Sequence, residues 1–184
     1  MPEIETARLR LRMIAPDDLD DLAGLFGNPE VMKYLGAEPG TTPSREETRT
    51  LIGRMIKFWA ENGFGRWAIV NKEDETMVGL CGFRLLDSTP ELFYLLSKAH
   101  WGKGLATEAA RACLRYGFEE LGFERIVAAI RHGNIASIRV MPKIGMRYEK
   151  ELLHAGINAL CYVATRDEYQ VDDSPYFCTH PEKI

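Results

Sequence analysis

The sequence predicts an α/β fold, a mixed sheet with helices, in which an antiparallel meander runs into a parallel crossover. Three observations predict it. The β-type runs Trp67–Val70, Met77–Leu86 and Glu91–Leu96 are separated by the polar turn Asn71–Thr76 and by Ser88-Thr89-Pro90, spacings that suit antiparallel pairing. The stretch His100–Cys113, HWGKGLATEAARAC, puts two glycines in a turn and then starts a helix with small residues on one face. Gly122 is a natural end for that helix. The short apolar run Arg125–Ile130 beyond it completes a strand, turn, helix, strand order that favours a parallel crossover.

A chain of 184 residues is read as one domain, 1–184, whose core needs no metal or disulfide staple. Hydrophobic residues at 46% and charged residues at 27% are ordinary for a soluble globular protein and exclude wholesale disorder. The net charge of −4 argues against nucleic acid as a partner and is compatible with a cationic substrate. Cys81, Cys113, Cys161 and Cys178 are scattered, without a CxxC pair or the Cys/His spacing of a zinc site, so reduced thiols and no metal are expected. The segment MPEIETARLRL lacks the apolar stretch of a targeting peptide, and no run approaches the ~20 apolar residues of a membrane span. A cytoplasmic location without a membrane partner is expected.

Along the chain, Arg8–Met13 alternates basic and apolar residues and reads as a strand with one wet face. Pro16 followed by Asp17 and Asp18 starts a helix carrying Leu19, Leu22, Ala23 and Phe26, which Gly27-Asn28-Pro29 ends. A short helix is expected at Glu30–Leu35 and a loop at Gly36–Pro43. Ser44 and Glu47 fit a capping box for a helix reaching about Asn62, with Leu51, Ile52, Met55 and Trp59 as its apolar face. After the meander and the glycine turn, a helix is expected over Ala106–Leu121. Asn134 caps a second, Ile135–Ile144, with Gly145 at its end. Arg147–Leu153 and Gly156–Thr165 pair as a closing hairpin around His154-Ala155. The run from Val171 has no periodicity and reads either as an ordered extension or as a loose tail.

The glycine turn carries the chemistry. The first amides of a helix have no intrahelical acceptor and sit at the positive end of its dipole, so a strand, turn and helix start in this order hold a phosphate or pyrophosphate. A Walker A motif is excluded, because position 97 is Ser97 and Lys103 is followed by Gly104 instead of Ser or Thr. A dinucleotide fingerprint is disfavoured, because Thr107 stands where a third glycine or alanine belongs and the turn follows a meander.

The run Trp101-Gly102-Lys103-Gly104-Leu105-Ala106 resembles the Q/R-x-x-G-x-G/A pyrophosphate loop of the GNAT superfamily of N-acetyltransferases. Trp101 departs from the Q/R position, and with Thr107-Glu108-Ala109 it is similar to the RimJ/RimL-like branch, which acetylates ribosomal-protein N-termini. The blocks ETARLRLRMIAPDDLDDL, FGRWAIVNKEDETMVGLCGF and GNIASIRVMPKIGM extend the resemblance over about residues 5–169, leaving the last 15 residues outside. The resemblance implies a strongly twisted mixed sheet, splayed between its fourth and fifth strands, with helices on both faces.

It also implies acetyl-CoA as co-substrate and an amine acceptor. The amides of Gly102, Lys103, Gly104, Leu105, Ala106 and Thr107 would hold the pyrophosphate, and Lys103 either adds charge at its rim or is a solvated lysine. Main-chain groups of Tyr94, Leu95 and Leu96 would bond the pantetheine as though it were another strand, the leucine side chains being core. Asn134 would reach the pantetheine arm, cap its helix, or do both. Ser137 matches a proposed proton donor to the departing thiolate, and a serine in a first helical turn can equally bond backbone.

The glutamate and tyrosine that other family members carry are replaced by Ala129 and Met141, and neither moves a proton. Glu91 stands either as a base acting through water or as an exposed strand-end carboxylate. A site without a strong base suits an α-amine, which titrates near ~8 against ~10.4 for lysine. The family fold implies acceptor walls at Tyr34 with the Gly36–Pro43 loop and at the Leu153–Asn158 hairpin, shaped by Trp59, Arg66, Trp67, Glu151 and His154. For each aromatic, core packing competes with that role. The expected activity is acetyl transfer to a peptide or protein N-terminus. Acetylation of a small amine (aminoglycoside, polyamine or amino acid) and acyl-CoA binding without turnover are the alternatives. Nothing separates a monomer from a homodimer.

Overall fold

In the computed structural model, residues 2–36, 38, 40–154 and 156–180 are described. Their strands are β1 (Glu3–Thr6), β2 (Leu9–Met13), β3 (Arg66–Asn71), β4 (Met77–Leu86), β5 (Thr89–Leu96), β6 (Arg125–Arg131), β7 (Arg147–His154), β8 (Ile157–Thr165) and β9 (Tyr176–Thr179). The helices are α1 (Leu19–Phe26), α2 (Pro29–Met32), α3 (Arg45–Asn62), α4 (Leu105–Glu119) and α5 (Ile135–Lys143). Among these residues the strands form one mixed sheet in the order β7-β8-β6-β5-β4-β3-β2-β1-β9.

Local chemistry explains most boundaries. Ser44 Oγ accepts from Glu47 N at 3.2 Å while Glu47 Oε2 accepts from Ser44 N at 2.7 Å, so the expected capping box opens α3. The helix expected from Pro16 begins instead as a 3₁₀ turn, Pro16–Asp18. There the Asp18 carboxylate accepts from Ala15 N at 2.8 Å and is gripped by Arg12 at 2.6 and 2.9 Å. The expected Glu30–Leu35 helix closes earlier, at Met32, after Asn28 caps it through Glu30 N at 3.0 Å. The strand β1 escapes the sequence reading because it offers only four residues, of which Ile4 and Thr6 are buried. Of the two readings of the tail, residues 176–179 form an ordered extension: β9 pairs antiparallel with β1, Ile4 opposite Cys178.

Two apolar clusters sandwich the sheet. Trp67, Phe83, Cys113, Leu114 and Ile126 pack one side beneath α4, and Leu22, Ile52, Met55, Ala68, Leu80 and Leu95 pack the other beneath α1 and α3. Trp59 and Trp67 meet edge to face at 5.0 Å, both buried, so core packing accounts for both tryptophans.

One join in the sheet differs from the rest. The pair β5–β6 is parallel and registers only at Glu91 opposite Val127, whereas β4–β5 and β6–β8 are paired along their lengths. Beyond Glu91 the two strands part, leaving one edge of β5 without a partner strand among the described residues. The expected splay therefore falls between β5 and β6, one step later in chain order than the family pattern, because β1 adds a strand ahead of it.

Candidate active site

From the end of β5 the chain passes through a 3₁₀ turn, Lys98–His100, into Gly102 (φ +74°) and Gly104 (φ +78°), and α4 starts at Leu105. The left-handed backbone requires glycine, not crowding: a Cβ at Gly102 would meet nothing within 4 Å, and one at Gly104 would meet only Arg8 Nη2 at 3.6 Å. Gly104 is the N-cap and has no side chain with which to cap. The first helical bond runs from Glu108 N to Gly104 O at 3.1 Å, so the amides from Gly102 to Thr107 donate to no acceptor among the described residues. Six free donors at the positive end of a four-turn helix are a fit for a diphosphate.

The turn is braced from two directions. The Trp101 indole Nε1 donates to Leu96 O at 2.8 Å, which pins the turn to the end of β5. Arg8, between β1 and β2, donates through Nη1 to Lys103 O at 2.9 Å and through Nε to Glu108 Oε2 at 2.7 Å. Glu108 also accepts from Thr6 Oγ1 at 2.7 Å and from Arg8 N at 2.8 Å. Partial burial would raise the Glu108 pKa, but the bonds from Thr6 and Arg8 outweigh it and hold the carboxyl below its usual range. A carboxylate in the first turn would repel an incoming phosphate, and Arg8 neutralises it. Sequence reasoning missed Arg8, which reads there as one of the basic residues on a wet strand face.

Where β5 and β6 part, a cavity of about 190 Å³ opens. Tyr94 and Glu91 line it from β5, Ala129 and Arg131 from β6, Asn134 from the N-cap of α5, Ser137 and Met141 from α5 itself, and Tyr34 with Gly36 from the segment after α2. Asn134 Oδ1 accepts from Ser137 N at 3.2 Å, so the expected cap forms and its amide group is left to face the cavity. The Tyr94 hydroxyl lies 3.5 Å from Ser137 O, and burial raises its pKa. The Tyr34 hydroxyl donates to Gly133 O at 2.9 Å, tying the α2 segment to the β6–α5 turn.

The candidate residues thus fall into two adjoining groups. Gly102 to Thr107 form the cradle of amides, with Lys103 exposed. Tyr94, Glu91, Asn134 and Ser137 share the cavity. Leu95 and Leu96 are buried on opposite faces of β5, so their side chains are core and only their main chain borders the parting strands. Of the expected acceptor walls, Tyr34 and Gly36 line the cavity, whereas no described residue of the Leu153–Asn158 hairpin does. Glu151 stands 3.5 Å from His132 instead. Ala37, Pro39, Ala155 and the His154 side chain lie outside the described residues.

Glu91 corrects the reading of an exposed carboxylate. It is 1% exposed and forms a two-pronged ion pair with Arg84, its cross-strand neighbour, at 2.6 and 2.9 Å. A carboxylate so held has both oxygens engaged. Arg84 carried no signal in the sequence, because its value comes from the β4–β5 register.

Comparison with known proteins places this geometry. Residues 8–147 match the family model described as the acetyltransferase (GNAT) domain. The chain is 34% identical over 152 residues to "Uncharacterized N-acetyltransferase p20" of Bacillus licheniformis, covering 81% of this chain and 84% of that protein. It is 28% identical over 148 residues to the spermidine N(1)-acetyltransferase of Escherichia coli strain K12, covering 79% and 76%. Among solved structures, a GNAT-family acetyltransferase from Bacillus anthracis superposes with a TM-score of 0.78 at 26% identity, covering 90% of this chain and 99% of that one. The ribosomal L7/L12 α-N-protein acetyltransferase RimL, solved with coenzyme A, superposes with a TM-score of 0.77 at 19% identity, covering 89% and 97%, a likeness of fold. The amide cradle, the parted strands and these matches agree: the chain belongs to the GNAT family of acetyltransferases.

Proposed function

We propose that this N-acetyltransferase moves the acetyl group of acetyl-CoA to the α-amine of a peptide or protein N-terminus, in the manner of the RimJ/RimL-like branch. The observation that carries the reading is the cavity at the parted strands. Among its described lining residues the one carboxylate, Glu91, is locked to Arg84, and Ala129 and Met141 offer no proton acceptor. The acceptor must therefore arrive neutral. At neutral pH an α-amine, with a pKa near ~8, is neutral a few hundred-fold more often than a lysine amine near ~10.4.

Each residue then has a task. The amides of Gly102 to Thr107 bind the pyrophosphate, with Lys103 at its rim. The free edge of β5 from Tyr94 to Leu96 bonds the pantetheine and supplies an oxyanion donor from its main chain; one lone pair of the Leu96 carbonyl is already taken by Trp101. Asn134 caps α5 with its oxygen and offers its amide to the pantetheine arm. The amine attacks the thioester carbon directly, the C–S bond breaks, Ser137 protonates the departing thiolate, and the excess proton that the attack leaves on the nitrogen passes to solvent, from which Ser137 recovers its own. Glu91 is assigned to hold Arg84 in place, not to relay a proton.

The relative that acetylates spermidine supports a second reading, a small amine as acceptor. Rates of acetylation of Ala- and Ser-initiated peptides, N-terminally blocked lysine peptides and polyamines separate the two. The N-terminal peptides are expected to be acetylated fastest, with kcat/KM rising with pH towards about 8 and then levelling. Faster transfer to lysine or to a polyamine overturns the proposal. In the same assay Ser137→Ala is expected to lower kcat by about tenfold or more while leaving the KM for acetyl-CoA nearly unchanged.

A further inference from the structure

The charges lining the cavity at the parted strands do not balance. Among its described lining residues there are two arginines, Arg84 and Arg131, and one carboxylate, Glu91. Glu91 spends both oxygens on Arg84. Arg131 reaches from β6 to donate through Nη2 to Gly36 O, while its Nη1 is buried and has no hydrogen-bond partner among the described residues. A buried guanidinium nitrogen without an acceptor is costly, and the cost falls if a ligand supplies one.

A third arginine adds to the excess. Arg66 on β3 and Phe93 on β5 both stand in register with Gly82 on β4, and with no side chain between them the Arg66 guanidinium lies 5.3 Å from the Phe93 ring. Arg84 lies at the same 5.3 Å from that ring. Arg66 makes no ion pair or side-chain hydrogen bond among the described residues, and burial together with the neighbouring Arg84 lowers its pKa to about 10. Three guanidinium groups against one carboxylate repel a polycation and attract an anion.

We propose that the acceptor carries a carboxylate close to its reacting amine, and that Arg131, backed by the positive field of Arg66, binds it. This rests on the acetyl-transfer reading and narrows its acceptor: an acidic residue at the first or second position of a peptide, or an acidic free amino acid. It also runs against the cationic substrate that the overall negative charge of the chain allows, because the cavity has the opposite sign from the molecule.

The test compares acid and amide pairs that differ in one charge: peptides beginning Ala-Glu and Ala-Gln, and, for free amino acids, glutamate and glutamine with their α-carboxyl groups blocked as amides, with spermidine as the polycation. Arg131 making a charge-assisted bond to the carboxylate predicts kcat/KM about tenfold or more higher for the acid than for the amide, lost as salt rises. In Arg131→Gln that ratio is expected to fall towards one, and in Arg131→Lys to lie between. Calorimetric binding of the same pairs to the CoA-loaded protein reads the ratio without turnover. Equal binding of acid and amide, or tighter binding of spermidine, overturns the anion subsite. An acid preference seen only with free amino acids keeps the subsite and overturns the N-terminal reading. An acid preference with peptides supports both.

Discussion

At the scale of single residues, the donor side depends on one ion pair that touches no ligand in the proposed scheme. Arg8 and Glu108 join the first strands to the first turn of α4, and Arg8 also holds the Lys103 carbonyl. Removing the arginine leaves a carboxylate in the same turn as the amides that would meet a phosphate, where the two negative groups repel. Arg8→Ala is therefore expected to weaken CoA binding several-fold, and Arg8→Ala combined with Glu108→Gln to recover a large part of it. Calorimetric titration with CoA checks both. A double variant no better than the single one would show that Arg8 acts only by holding the loop. The residue scale also holds what the sequence hid: Arg8, Arg84 and Arg131 look like solvated charges in a linear reading, and each acquires its role from a partner 95 to 100 residues away or on a neighbouring strand.

Among the elements, the β3–β4–β5 meander sets one wall of the cavity at the parted strands. Gly82 has φ +147°, and a Cβ there would fall 2.2 Å from Gly65 O and 2.7 Å from Arg66 Cα, so the close approach of β3 to β4 needs a residue without a side chain. The same vacancy lets Arg66 and Phe93 face each other across β4. Gly82→Ala is expected to destabilise the fold by about 2–3 kcal/mol, a strained backbone combined with a steric overlap, read as a lower urea midpoint at unchanged slope. The meander and the α3 capping box were legible from turn residues and spacing. The strands β1 and β9 were not: four residues each, they are stabilised by the edge they share, a contact spanning nearly the whole chain.

For the whole molecule, acid stability follows from two carboxylates, one buried and one partly buried, that are held by hydrogen bonds. Burial alone would raise the pKa of Asp18, but the bonds from Arg12 and Ala15 N lower it overall, and the Thr6 and Arg8 bonds do the same for Glu108. The folded state thus binds fewer protons than the unfolded one. The stabilisation is complete above the usual carboxylate range and is lost as pH falls through the depressed folded values. Urea midpoints measured between pH 6 and 3 should fall with pH, and Arg12→Ala should reduce that dependence while lowering stability at pH 6.

By itself the sequence determined the order of elements from β2 to β8, the glycine turn that opens α4 and the family to which the chain belongs, because these rest on local signals: turn residues, caps, periodicity and a short motif. It also located Tyr94, Asn134 and Ser137, which the fold brings into one cavity. Only the tertiary structure decided the burial and pairing of Glu91, the brace at Arg8 and the balance of charges lining the cavity at the parted strands. The physical reason is that local patterns specify backbone shape, while the charge state and pairing of a side chain depend on groups from distant strands, brought within a few ångströms only when β5 and β6 part and the segment after α2 closes over them.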